Sequence, residues 1–382
     1  MQNTPRDARA TMATERRTRR RRLLRRITRY AFAAIAAGVV GLLAWCLIPL
    51  HSSNPRIEAR SDTQYWLLAN GHRIAYSRVD ARDAVVAKAP IVFVHGGPGA
   101  YVHSSTIATL GALADGGRDV YFYDQAGSGL SDRLPHPLDH SFPGNVEDLL
   151  EIVTKKIGAP RVVLIGQSFG GRLAAAFAIA HPELIERLVL CAPAAIEPVL
   201  YDADGENAAL AAYPIPPGLV FTLPPGFAAR APGLWSGLPV RAVLAVILAR
   251  ACNVKLMSDL EADGVMNDLA VERLEHLSCD PANVPLGQGG AGFYASVSGG
   301  RCPTRCDGRA NMSGMHAPVL VLHGQCDPIV SYAEAYEYAA LFPSAEYRPI
   351  PGAGHVVWWD EPESVVAQIA EFLEGATSAS AP

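Results

Sequence analysis

The chain has 382 residues, 49% of them hydrophobic and 18% charged, which excludes a disordered chain and allows a large core in one or two domains. Its formal charge of −4 is unevenly spread: residues 1–30 hold 11 arginines against Asp7 and Glu15, a sum of +9, and the rest of the chain sums to −13. A basic arm on an acidic body points away from nucleic acid as the body's ligand.

The arm, residues 1–30, leads into 20 uncharged residues, Ala31 to Leu50. As a helix at about 1.5 Å per residue they would span about 30 Å, the thickness of a bilayer's hydrocarbon core. This predicts a single-pass signal-anchor, with the arginines cytoplasmic and the body periplasmic or extracellular. A buried core helix and a nucleic-acid-binding arm are the lesser readings. A cleaved twin-arginine export signal is another, since "TRRRRLLRR" precedes the apolar run, but "LIPLHSSNP" offers no small-x-small cleavage site.

Residues 51–63 read as a polar linker. "YWLLA", "NG" and "HRIAYSRV" form a hairpin signal, and "PIVFVH" is a strand buried on both faces. "TIATLGALA" follows as a helix and "DVYFYD" as a strand. "NVEDLLEIVTKKIG" is a helix with Asn145 at its N-cap and Gly158 at its stop. "RVVLIG", "FGGRLAAAFAIAHP" and "RLVLCAP" continue the alternation. The rhythm predicts an α/β fold, a mostly parallel sheet with helices on both faces, with residues 64–193 as the first part of the core.

Residues 194–316 break it. They hold the proline-rich "YPIPPGLVFTLPPG", then helical and glycine-rich stretches. An insertion of that length predicts a separate, mainly helical cap. Alternation resumes over 317–374 with "PVLVLHG", "SYAEAYEYAALF", "AEYRPIPG" and "EPESVVAQIAEFL", and 375–382 reads as a disordered tail. Outside the apolar run, which holds Cys46, there are six cysteines, and export would permit disulfides; the 15 possible pairings stay open beside unpaired thiols. "CPTRC" has no matching Cys/His pair nearby, so no metal is predicted.

The chemistry centres on "GQSFG", Gly166 to Gly170. A serine hydroxyl needs a base beside it and needs exposure. A sharp strand-to-helix turn lifts it above the sheet, crowds its neighbours, and aims the helix's free N–H groups at the reacting centre. Ser168 is therefore the candidate nucleophile, with a glycine turn and bystander serine as the bland alternative. The acid and base should follow in the order Asp, His. Asp327 falls after one strand and His355 after the last, in a small-residue loop. Glu197 is the alternative acid, and ten other histidines are alternatives to His355. Two N–H donors should hold the oxyanion: Phe169, directly after the serine, and Gly97 of "HGGPG".

With "HGGPG" (95–99), "DQAGSG" (124–129), "GQSFGG" and the inserted cap in place, the chain resembles the α/β-hydrolase family, in its proline iminopeptidase-like branch, over roughly Tyr65 to Leu373. Ala126 stands where that family usually has arginine, and Gln167 and Phe169 where members often have glycine and tryptophan. The resemblance implies a serine hydrolase releasing N-terminal residues from short peptides; no phosphate loop, dinucleotide fingerprint or metal cluster appears, so no cofactor is predicted. It also implies cap carboxylates that bind the substrate amine, here Asp259, Glu261 and Asp263, with Asp268 beside them; a solvated helix face is the alternative for each. A carboxylic-ester hydrolase and a catalytically silent binding protein on the same scaffold are the competing functions. An aspartate-nucleophile dehalogenase or epoxide hydrolase is disfavoured by the serine at the elbow.

Overall fold

The computed structural model describes residues 5–52, 57–82, 88–196, 237–271, 273–285, 289–302, 306 and 308–375. Glu197, the whole proline-rich stretch and the C-terminal tail lie outside them. The chain divides into two units, 1–50 and 51–382.

The first unit is one helix, α1 (Pro5–Cys46), so the basic arm and the start of the apolar run share a single continuous element. Among the described residues no helix is long and apolar enough to cross a membrane, so the span expected over 31–50 is not found. The helix stops at Cys46, which leaves 16 helical residues of the uncharged run. These reach about 24 Å, short of a hydrocarbon core. The side chains of Leu42, Leu43 and Cys46 are outside the description. Phe32, Ile35, Val39 and Val40 are exposed.

The second unit is built on an eight-stranded sheet: β1 (Gln64–Leu67), β2 (Arg73–Val79), β3 (Ile91–Val94), β4 (Val120–Tyr123), β5 (Val162–Gln167), β6 (Ile185–Cys191), β7 (Val319–Gly324) and β8 (Ala345–Ile350). Their order is β1-β2-β4-β3-β5-β6-β7-β8. The first hairpin pairs antiparallel and joins β4 antiparallel; every later pairing is parallel. β3, β4, β5 and β7 are buried at every position because helices cover both faces. Alternation divides each strand between two cores. Val92, Val94 and Leu164 join Leu149 of α3 (Phe142–Glu151) and Phe177 of α4 (Phe169–Ala180). Ile91, Phe93 and Ile165 join Leu110 of α2 (Ser104–Leu110) on the other face, together with Trp358 and Ile369.

α3 takes Ser141 as its N-cap, four residues before the expected Asn145: the Ser141 hydroxyl accepts the Gly144 N–H, and Pro143 sits in the first turn. Its continuation stops at Gly158 in the left-handed region, as read. Between β6 and β7 the described elements are α5 (Val240–Cys252), α6 (Asp259–Val271), α7 (Phe293–Ser298) and short turns of helix. α8 (Tyr332–Leu341), with a Ser331/Glu334 capping box, and α9 (Pro362–Glu374) follow. Cysteines pair as Cys279–Cys326 and Cys302–Cys306, while Cys191 and Cys252 are free thiols.

Candidate active site

Four loops gather at the C-terminal ends of parallel strands, where such sheets place their sites. They follow β3, β5, β7 and β8, and they carry Gly97, Ser168, Asp327 and His355.

Ser168 sits between β5 and α4 at φ 53°, ψ −123°, a conformation an L-residue avoids. Backbone strain of this kind costs about 1–3 kcal/mol and persists only where the surroundings enforce it. Here the Ser168 N–H donates to the Cys191 carbonyl at 2.9 Å, and its own carbonyl accepts from Gly171 (2.8 Å) and Ala194 (3.0 Å). The flanking glycines are sterically required. A Cβ on Gly170 would lie 2.1 Å from the Val94 carbonyl oxygen, and one on Gly166 2.4 Å from that of Gly170. Thus the elbow packs directly on the end of β3 and on its own helix.

The loop after β3 lies against this elbow: a Cβ on Gly96 would come within 3.0 Å of the Ser168 Cβ. Gly97 has φ +121° and precedes a cis peptide to Pro98. The next loop braces it. The Gln125 N–H donates to His95 Nε2 at 2.9 Å, and the Gln125 side-chain amide donates to the His95 carbonyl at 2.7 Å. His95 Nε2 is therefore an acceptor, so Nδ1 carries the proton and faces the Gly96 carbonyl at 2.9 Å. Burial holds the His95 pKa below its usual value, consistent with this neutral ring. Asp124, whose pKa is raised by burial, accepts the N–H groups of Val102 and Leu130, both at 2.8 Å. In sequence "DQAGSG" is a family hallmark without a role; in the structure it shapes the "HGGPG" loop.

Asp327 and His355 meet: His355 Nδ1 lies 2.8 Å from Asp327 Oδ2. That contact fixes Nδ1 as the donor and leaves Nε2 as the basic nitrogen. Asp327 also accepts from the Ile329 (2.8 Å) and Val330 (3.0 Å) N–H groups and lies 3.5 Å from His323 Nε2. Burial opposes its charge, but the neighbouring imidazoles outweigh burial and hold the carboxyl far below the usual range. The Gln167 amide reaches the His355 carbonyl at 3.4 Å, joining the His355 loop to the residue before Ser168. Among the described residues the Ser168 hydroxyl forms no hydrogen bond with His355. Such contacts are often long before substrate binds. Phe169 begins α4, so its N–H is one that the helix leaves unpaired, and its ring is buried edge-on to Phe142.

The carboxylates expected to bind a substrate amine are committed elsewhere. Asp259 pairs with Lys255 at 2.7 Å, and Glu261 with Arg241 at 2.5 and 3.1 Å. Asp263 is buried between Arg133 (2.8 Å) and the Phe293 N–H (3.0 Å), and Asp268 accepts from Ser52 at 2.6 Å. Spacing reveals only the Lys255–Asp259 pair, four residues apart; the partners of Glu261, Asp263 and Asp268 come from other segments. Glu261→Gln is expected to lower stability, by up to about 3 kcal/mol since Arg241 is left without its countercharge. It should leave KM for an arylamide unchanged, and thermal melts with steady-state kinetics check both.

Three residues near the triad candidates do not stand out in the sequence: Gln167, Gln125 and His323. The first two lie inside recognised motifs. His323, four residues before Asp327, carries no signal except that spacing.

Residues 89–362 match the alpha/beta hydrolase fold family, and the chain belongs to it. Its relatives place it near the proline iminopeptidases. It is 25% identical to the proline iminopeptidase of Heyndrickxia coagulans over 324 residues, 81% of this chain and 98% of that one. It is 34% identical to the Saccharolobus solfataricus proline iminopeptidase over 100 residues, 26% of this chain and 32% of that one. This chain thus spans about a third of some of the curated relatives it matches and nearly all of another. Solved structures of the same fold include the Mycobacterium smegmatis proline iminopeptidase (22% identity, TM-score 0.51, covering 81% of this chain and 97% of that one). An esterase of Thermogutta terrifontis is equally similar (20%, TM-score 0.51, 82% and 98%).

Proposed function

We propose that this hydrolase uses Ser168 as nucleophile, His355 as base, Asp327 to orient the imidazole, and the N–H groups of Phe169 and Gly97 to receive the oxyanion. The observation that carries the proposal is the 2.8 Å Asp327–His355 contact, set beside a serine held at φ 53°. Ser168 Oγ forms a bond to the substrate carbonyl carbon as its proton passes to His355 Nε2. His355 returns that proton to the leaving amine or alcohol as its bond to carbon breaks. Water, deprotonated by the same imidazole, then hydrolyses the acyl-enzyme.

The substrate is a short peptide that loses its N-terminal residue. The full-length similarity to a proline iminopeptidase supports this reading. The pairing of Asp259, Glu261 and Asp263 with basic side chains favours a second reading, a carboxylic-ester hydrolase, because no amine-binding carboxylate stands open among them. The detergent-extracted full chain is expected to cleave proline or alanine arylamides with a kcat/KM at least tenfold above its value on short-chain esters. Ester turnover without arylamide turnover would select the second reading.

The body works outside the cytoplasm, attached to the membrane through residues 31–50. Support comes from the uncharged run behind 11 arginines and from two disulfides, which persist in oxidising compartments. A helical core somewhat shorter than the bilayer is accommodated by local thinning.

A further inference from the structure

We propose that Leu277–Asn283, a segment of the insertion between β6 and β7, is a two-point clamp that positions the Asp327 loop against the His355 loop. The inference rests on the triad assigned above. Its positioning residues are Cys279, Cys326 and Asp360.

The first point is covalent. Cys279 is bonded to Cys326, the residue directly before Asp327, across 47 positions of sequence. The second point is the Asp360 carboxylate, at the end of the short helix Val357–Asp360 that follows His355. Its Oδ2 accepts the N–H of Cys279 at 2.9 Å and the N–H of Gly354, beside His355, at 2.8 Å. Its Oδ1 accepts from the Ser278 hydroxyl, the Asn283 amide (3.0 Å) and the Asp280 N–H (3.3 Å). Five donors converge on one carboxylate, four of them from the segment and one from the histidine loop. Burial opposes the Asp360 charge, but the donors outweigh it and lower the pKa.

The segment also touches the histidine loop directly. The Val356 N–H donates to the Leu277 carbonyl at 3.1 Å. A Cβ on Gly354 would lie 2.7 Å from the Ser278 Cα, so only glycine lets the two backbones approach. Asp327 and His355 otherwise hang from the ends of neighbouring strands; besides their own contact, their loops are joined by the Gln325 to Ile350 (3.1 Å) and Cys326 to Ala353 (2.9 Å) hydrogen bonds and by Gly324 packed on Ala353 and Gly354. A clamp bound to both loops restricts their relative motion. Turnover is sensitive to that motion, since a misplacement of about 1 Å can cost about a hundredfold.

The test uses the purified full chain, folded and oxidised before treatment. A dithiol reductant transfers two electrons and two protons to Cys279–Cys326, giving two thiols and the reagent's own disulfide; mass spectrometry of the alkylated protein verifies the reduction. Three samples are compared with the untreated chain: the reduced chain, the Cys279→Ser/Cys326→Ser variant, and Asp360→Asn. Each is expected to lose about 10- to 100-fold in kcat with KM within about twofold. The acid limb of kcat/KM should move to lower pH, a shift that lost stability alone would not produce. Reduction should cause no further loss in the cysteine-pair variant, which excludes an effect through Cys302–Cys306. If the cysteine-pair variant fails to fold, the reduced chain and Asp360→Asn carry the test. Unchanged kcat and an unmoved acid limb in the reduced chain would overturn the clamp. Activity that survives Ser168→Ala would instead overturn the triad on which it rests.

Discussion

Ser168→Ala is expected to lower turnover of arylamides and esters by about 10⁴- to 10⁶-fold while leaving the melting temperature nearly unchanged. The size of the loss follows from removing the oxygen proposed to form the acyl bond; binding and the proposed oxyanion donors would remain. The stability expectation follows from the elbow's construction. Ser168 holds φ 53° because its backbone is bonded to Cys191, Gly171 and Ala194, and because Gly166 and Gly170 leave room for the turn. Alanine keeps every one of those backbone bonds, and its Cβ stands where serine's did. A variant that unfolds would contradict the steric account of the elbow. A folded variant that retains turnover within tenfold would contradict the nucleophile.

Asp327→Asn is expected to lower kcat by about 10⁴-fold. One carboxylate oxygen accepts the Ile329 and Val330 N–H groups, and the other accepts from His355 Nδ1. Asparagine satisfies the backbone donors with its carbonyl oxygen, which turns its amide N–H₂ towards His355. The imidazole must then accept at Nδ1 and carry its proton on Nε2, the tautomer that does not deprotonate serine. The same substitution changes acid stability. The native Asp327 pKa lies below its unfolded value, so its contribution is fully present above about pH 4 and is lost as the pH falls through the native pKa. The asparagine amide does not titrate there. Unfolding free energy measured from pH 6 down to pH 2 should fall less steeply in the variant than in the wild type.

The parts legible in sequence are those specified by local chemistry. β3 and β5 are short β-branched runs because helices cover both of their faces, and the glycines at 166 and 170 announce the elbow because no larger residue fits. Strand order places Asp327 and His355, and the structure brings them into contact. The acids of α6 cannot be read this way. A helix shows which carboxylates it carries but not that Arg241 and Arg133, both from other segments, already neutralise Glu261 and Asp263. Asp360 is hidden for the opposite reason. It is an ordinary residue in "HVVWWDEPE", and its importance lies in donors that come from positions 278–283. Cysteine pairing is likewise a property of the fold: composition leaves the partners open, and the insertion between β6 and β7 brings Cys279 to Cys326, just after β7. The apolar run at 31–50 signals a span by length alone. Its helix ends at Cys46, four residues before the run does.

Peptide mapping of the full chain after reaction with a fluorophosphonate tests the central claim most directly. A single phosphonyl adduct on the peptide containing Ser168, absent from Ser168→Ala and formed far more slowly in Asp327→Asn, is the expected result. An adduct on another residue, or a folded and hydrolytically active chain with Ser168 unmodified, would contradict it.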